Sequence, residues 1–213
     1  RSTGLYDLEP GLQMCDRAIR LARRAGRHDL EARALGLKGN ILSMSGRHRE
    51  GIENANAGLS LALERKVIDA AAEVYRRMGT TLEYASEYAS SRNTYLTAYE
   101  FCKREGVQAQ AQLCLSCMTW VLFRTGDWKR CTEVCREVLN DPDAGTTPKF
   151  FVGCVLGLVQ AYRGESRSAR RHLESAFQAA LRESSALGEM VARWGLARLY
   201  ELTGQLDHVA PHY

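Results

Sequence analysis

The chain has 213 residues, 45% of them hydrophobic and 25% charged, and a net charge of +4. That balance is ordinary for a globular chain and excludes the dense basic stripe of a nucleic-acid reader. Seven cysteines, an odd number with no secretory leader, predict reduced thiols in a cytoplasmic protein, and no apolar run nears the roughly 18 residues that span a bilayer.

Helical periodicity fills almost the whole chain. It predicts helices near 7–25, 29–45, 48–66, 68–85, 87–105, 108–125, 127–140, 149–163, 166–184 and 187–203, with no strand signal between them. Asp127 reads as an N-cap, Pro142 as the end of the helix before it, and Thr147 with Pro148 as an N-cap followed by proline at the first helical position. The only long connection expected is 141–147. The chain opens on Arg1 rather than on a methionine, and 205–213 ends where another helix is due, so both ends look cut from a longer protein.

A glycine or its substitute closes every second helix: Gly46, Ser86, Gly126, Gly164 and Gly204, spaced 40, 40, 38 and 40 residues apart. Small residues recur in register with it. Five positions after the marker stand Gly51, Ser91, Cys131 and Ala169, preceded one period earlier by Gly11; seven positions before it stand Gly39, Gly79, Thr119, Gly157 and Ala197. A fixed period of this length marks stacked helical hairpins, because one hairpin cannot bury its own apolar face. The expectation is an all-α fold over 1–213 as a single domain: a right-handed α-solenoid of about five hairpins.

The small-residue pattern resembles the tetratricopeptide repeat (TPR) over roughly 7–204, with helices longer than those of the usual 34-residue unit. A narrower resemblance runs from Phe123 to Gly164. The stretch "FRTGDWKRCTEVCREVLNDPDAG" and the "VLGLVQAYRGESRSARRHLESAF" after it are similar to the helical sensor region of large bacterial LuxR-type transcriptional regulators of the maltose-activator class. That resemblance implies a sensor region whose ATP-binding and helix-turn-helix parts lie elsewhere. Neither a phosphate loop nor a DNA-reading module occurs in 1–213.

In the repeat register the concave, first-helix face carries Asn40, Ser43, Arg76, Thr80, Glu83, Tyr84, Trp120, Phe123, Arg124, Leu158, Trp194, Arg198 and Glu201. Aromatic rings beside arginines and acids suit a peptide, a protein partner or a small-molecule inducer. The Lys/Asn clamp that grips a chaperone tail is missing, since Gly36/Asn40, Arg76/Thr80 and Ser116/Trp120 offer only Asn40. Arginines 17, 20, 23, 24, 167, 170 and 171 fall on second helices, as solvated faces or as a contact for an acidic neighbour. Cys114, Cys117, Cys131 and Cys135 have a spacing compatible with zinc, but the last two occupy small core positions, which favours packing. The expected protein is therefore no enzyme and carries no cofactor or metal. It makes no direct nucleic-acid or membrane contact, and it self-associates through exposed array ends. The alternative is a stand-alone scaffold that recruits protein partners without a transcriptional role.

Overall fold

The computed structural model describes residues 8–212, leaving aside the side chain of Pro211. Asp7, where the first helix is expected to open, and Tyr213 lie outside the described residues. Ten α-helices follow in series: α1 Glu9–Arg24, α2 His28–Met44, α3 His48–Glu64, α4 Ile68–Tyr84, α5 Tyr88–Arg104, α6 Gln108–Arg124, α7 Trp128–Asn140, α8 Thr146–Tyr162, α9 Ser166–Arg182 and α10 Ala186–Leu202. Two 3-10 turns, Leu206–His208 and Ala210–His212, come after them, and no strand occurs among the described residues. The fold is an all-α helical repeat.

The turns repeat twice as often as the marker glycines suggest. Gly46, Ser86, Gly126, Gly164 and Gly204 all have positive φ, and so do Gly26, Lys66, Gly106 and Ser184 in the other connections. A 17-residue helix and a three-residue turn form the true unit of about twenty residues. The amides of residues 27, 47, 67, 87, 107, 165, 185 and 205 each donate to the carbonyl five residues back, at 2.8–3.0 Å. This left-handed closure satisfies the orphan carbonyls of the helix end. Asp127 caps α7, accepting from the Arg130 amide. Pro148 is displaced from its expected place: α8 begins at Thr146 with Gly145 as N-cap, so the proline sits third in the helix. It is still within the first turn, where most amides lack an intrahelical acceptor and a missing N–H matters little.

The chain divides into two compact units, Arg1–Cys114 and Leu115–Tyr213, with the division inside α6. In the first, α2 packs on α1, α3 and α4, and α4 on α3 and α5. In the second, α8 packs on α7, α9 and α10, and α10 on α9. The small-residue register makes these contacts possible. A Cβ on Gly51 would lie 2.7 Å from the Gly39 carbonyl oxygen, the Ser91 hydroxyl donates to the Gly79 carbonyl at 2.8 Å, and the Cys131 thiol to the Thr119 carbonyl at 3.4 Å. One recurring contact thus accepts glycine, serine or cysteine. Size is exchanged across it: the buried Tyr95 ring lies against Gly79, and Leu173 fills the space left by Gly157 and Gly195.

Candidate binding face

In the second unit the ends of α6 and α8, the first residue of α7 and the middle of α10 bring an aromatic group together. Trp120 meets Phe123 edge-on, with ring centres 6.1 Å apart, and Trp194 at 6.2 Å. Phe123 stacks on Trp128 at 6.3 Å, and Tyr162 lies 5.9 Å from both. Trp128 is held by its indole N–H, which donates to the Phe123 carbonyl at 3.0 Å. Arg198 spans the edge of the group: Nε donates to the Tyr162 hydroxyl at 2.9 Å and Nη1 to Glu201 Oε2 at 2.7 Å. Its guanidinium carbon sits 5.6 Å from the Tyr162 ring centre. These two acceptors, Tyr162 foremost, hold the Arg198 proton more tightly than usual. Trp194 and Tyr162 each keep 38% of their surface exposed, and Arg124 is exposed beside Phe123. The face therefore offers flat apolar area with a guanidinium fixed at its rim, an arrangement suited to binding.

Five expected residues (Trp120, Phe123, Trp194, Arg198 and Glu201) come together here. Sequence reasoning missed Trp128 and Tyr162, although Tyr162 stands two positions before its marker glycine, the register of Tyr84 and Arg124. Leu158 is a correction. It shares the register of Trp120 and Arg198 but is fully buried, because α8 is packed by α7, α9 and α10.

In the first unit the expected residues are drawn largely into stitching helices. Asn40 Oδ1 accepts from Thr81 Oγ1 at 2.6 Å, joining α2 to α4, and Thr80 pairs with the Tyr95 hydroxyl at 2.9 Å, joining α4 to α5. Ser43 is buried; Arg76 and Glu83 are half-buried, and Tyr84 is exposed. A different feature stands out nearby. Glu73 binds Arg33 and Arg77 beside an apolar groove of about 470 Å³ between α1, α2 and α4, lined in part by Leu21, Leu30 and Leu37. Burial pushes the Glu73 carboxyl up, but the Arg77 hydrogen bonds and the charges of Arg77 and Arg33 outweigh it and hold it below the usual range. Arg33 and Glu73 are one period apart, so the repeat itself contained this pairing.

The cysteines pack. Six are buried and Cys117 is half-buried. Cys114 partners Cys102 across α5 and α6 through a thiol hydrogen bond, which lowers the Cys102 pKa. The Cys131 hydrogen bond and burial push Cys135 up, and burial pushes Cys154 up to about 12. No group of three or more metal-ligating side chains converges among the described residues.

No family model matches this chain, and no curated protein sequence matches it. Among solved structures it is similar to BtubC (BKLC) from P. vanneervenii, itself a helical-repeat protein, with a TM-score of 0.73 at 13% identity, over 97% of this chain and 88% of that one. At that identity the likeness is one of fold. No described helix is long and apolar enough to cross a membrane.

Proposed function

We propose that this chain is a binding module, the ligand- or partner-sensing helical-repeat region of a cytoplasmic LuxR-type regulator. One observation carries the binding part. All three tryptophans of the sequence, with Phe123 and Tyr162, gather from α6, the start of α7, α8 and α10 beside the tethered Arg198. Aromatic area at a partly open surface is costly to leave in water unless something covers it. The regulator part rests on the resemblance in 123–164. In this reading the chain itself performs no catalysis, holds no cofactor and touches no nucleic acid.

Because Arg198 already has Glu201 and Tyr162 as partners, the face offers area more than free charge. That observation favours the second reading, a scaffold whose occupant is a protein segment. Both readings are tested by titrating a panel of sugars, amino acids and short peptides while following tryptophan fluorescence and melting temperature. A ligand of the folded state raises the melting temperature with its concentration over Kd. The expected result is a hit whose fluorescence change is lost in Trp194→Ala. Responses to small molecules alone support the sensor, and responses to peptides alone support the scaffold. A flat panel, or equal responses in Trp194→Ala, removes this face as the binding site.

A further inference from the structure

The repeat loses two residues between Gly126 and Gly164, and the shortfall is concentrated in one place. α7 has 13 residues where α3, α5 and α9 have 17, and the chain crosses 141–145 before α8 begins. A second irregularity faces this gap. Eleven positions before the marker the other repeats carry Leu35, Tyr75, Leu115 and Arg193; here stands Gly153.

Glycine inside a helix is unfavourable relative to alanine, so it usually answers a contact that excludes a side chain. At Gly39, Gly79, Gly157 and Gly188 the contact exists: a Cβ would meet atoms at 2.7, 2.5, 2.6 and 2.6 Å. At Gly153 the nearest atoms would be Ala176 Cβ at 3.5 Å and the His172 carbonyl oxygen at 3.9 Å, which is ordinary contact. No packing demand explains it. The side chain it lacks is instead space within a cavity of about 350 Å³ between the end of α7, the 141–145 connection, α8 and α9.

That cavity has two kinds of lining. Leu139, Phe150, Ala176 and Ala179 form an apolar part, while Thr146, Lys149, His172 and Ser175 supply polar groups. Lys149 has no acidic partner among the described residues. His172 donates its Nδ1 proton to the Gln160 side-chain oxygen at 2.8 Å and the Ser168 carbonyl at 3.0 Å, so its ring adds a polar wall rather than an anion donor. Arg136 and Arg171 add positive charge near the imidazole, and no side chain caps the amides at the start of α8. A small site of this size, with an apolar body and few convergent polar groups, is built like a ligand pocket, and one unpaired ammonium matches one negative charge.

We infer that this cavity binds a small monocarboxylate with a short apolar tail, its carboxylate on Lys149 and its tail against Leu139, Phe150 and Ala176. The site is separate from the aromatic face, and the two readings stand or fall independently.

The test is isothermal titration calorimetry of the whole chain with hexanoate, and with hexanol as its uncharged counterpart. Hexanoate is expected to bind, and hexanol about tenfold more weakly or not at all, since a charge-assisted bond is lost. Gly153→Leu, which restores the side chain of Leu35 and Leu115, is expected to abolish binding at unchanged helicity. Lys149→Gln, which does not alter the core, is expected to weaken it about tenfold and decides the matter if Gly153→Leu fails to fold. Trp194→Ala is expected to leave the hexanoate Kd unchanged. Absence of heat with hexanoate, equal affinity for hexanol, an unchanged Kd in the Gly153 and Lys149 variants, or loss of binding in Trp194→Ala would each overturn the assignment.

Discussion

Two glycines in equivalent helices behave oppositely, and the difference is a matter of tenths of a nanometre. Gly79 lies against the Tyr95 ring, where a Cβ would be 2.5 Å from a ring carbon of a fully enclosed side chain. Gly79→Ala should therefore cost about 1–3 kcal/mol through overpacking. Gly153→Ala meets no such contact and should gain about 0.5–1 kcal/mol from backbone entropy alone. Urea unfolding midpoints would show the two variants moving in opposite directions. Histidine provides a second prediction at this scale. Burial lowers the His172 pKa from its ordinary 6.5, against a raising hydrogen bond to the Ser168 carbonyl, and Arg171 and Arg136 lower it further. Above pH 6.5 the imidazole is neutral in both states, so its contribution is fully present. As pH falls below that value the unfolded chain takes up the proton first, and stability is lost. Lowering the pH from about 7.5 to about 5.5 should destabilise the wild type more than His172→Gln.

At the scale of the element, the turn explains why the sequence was legible. A residue with positive φ ends nearly every helix, and glycine is the residue that adopts it freely, so the pattern of glycines marks helix ends. The turns between the markers, at Gly26, Lys66, Gly106 and Ser184, stand in the same left-handed geometry, and two of them carry it without glycine, Lys66 at φ 54 and Ser184 at φ 51. Because an L-residue there carries a steric penalty, Lys66→Gly and Ser184→Gly should each stabilise the protein by about 0.5–1 kcal/mol, measured as a rise in melting temperature. The start of α8 was misplaced by three residues for a related reason. The Thr147–Pro148 pair is a good helix opening, yet the extended backbone of Gly145 opens the helix earlier.

At the scale of the molecule, each repeat buries its apolar face on its neighbours, so an uncovered groove has consequences in solution. The groove between α1, α2 and α4 exposes Leu21 (53%), Leu30 (46%) and Leu37 (38%) beside the Arg33–Glu73–Arg77 network. Apolar leucines gathered in one groove favour association between copies. Sedimentation velocity is expected to show a coefficient that rises with concentration, and Leu30→Glu to hold the protein monomeric. A clean monomer at high concentration for the wild type would show that the groove is not self-complementary.

The sequence by itself determined the all-α repeat fold, the positions of ten helices and the close contacts between them. Those properties are periodic and local, and Gly39 or Gly79 says the same thing in every repeat. Tertiary structure decided which residues of one face meet. Trp120, Leu158 and Arg198 share a register, yet Leu158 is buried while the other two border an aromatic group completed by Trp128 and Tyr162. Asn40 and Thr80 share it too, and are committed to neighbouring helices by hydrogen bonds. Register fixes which way a side chain leaves its helix, but its partners depend on neighbours a full period away. The cavity at Gly153 was beyond sequence reading for the same reason, since an absent side chain becomes space only when the surrounding helices are in place.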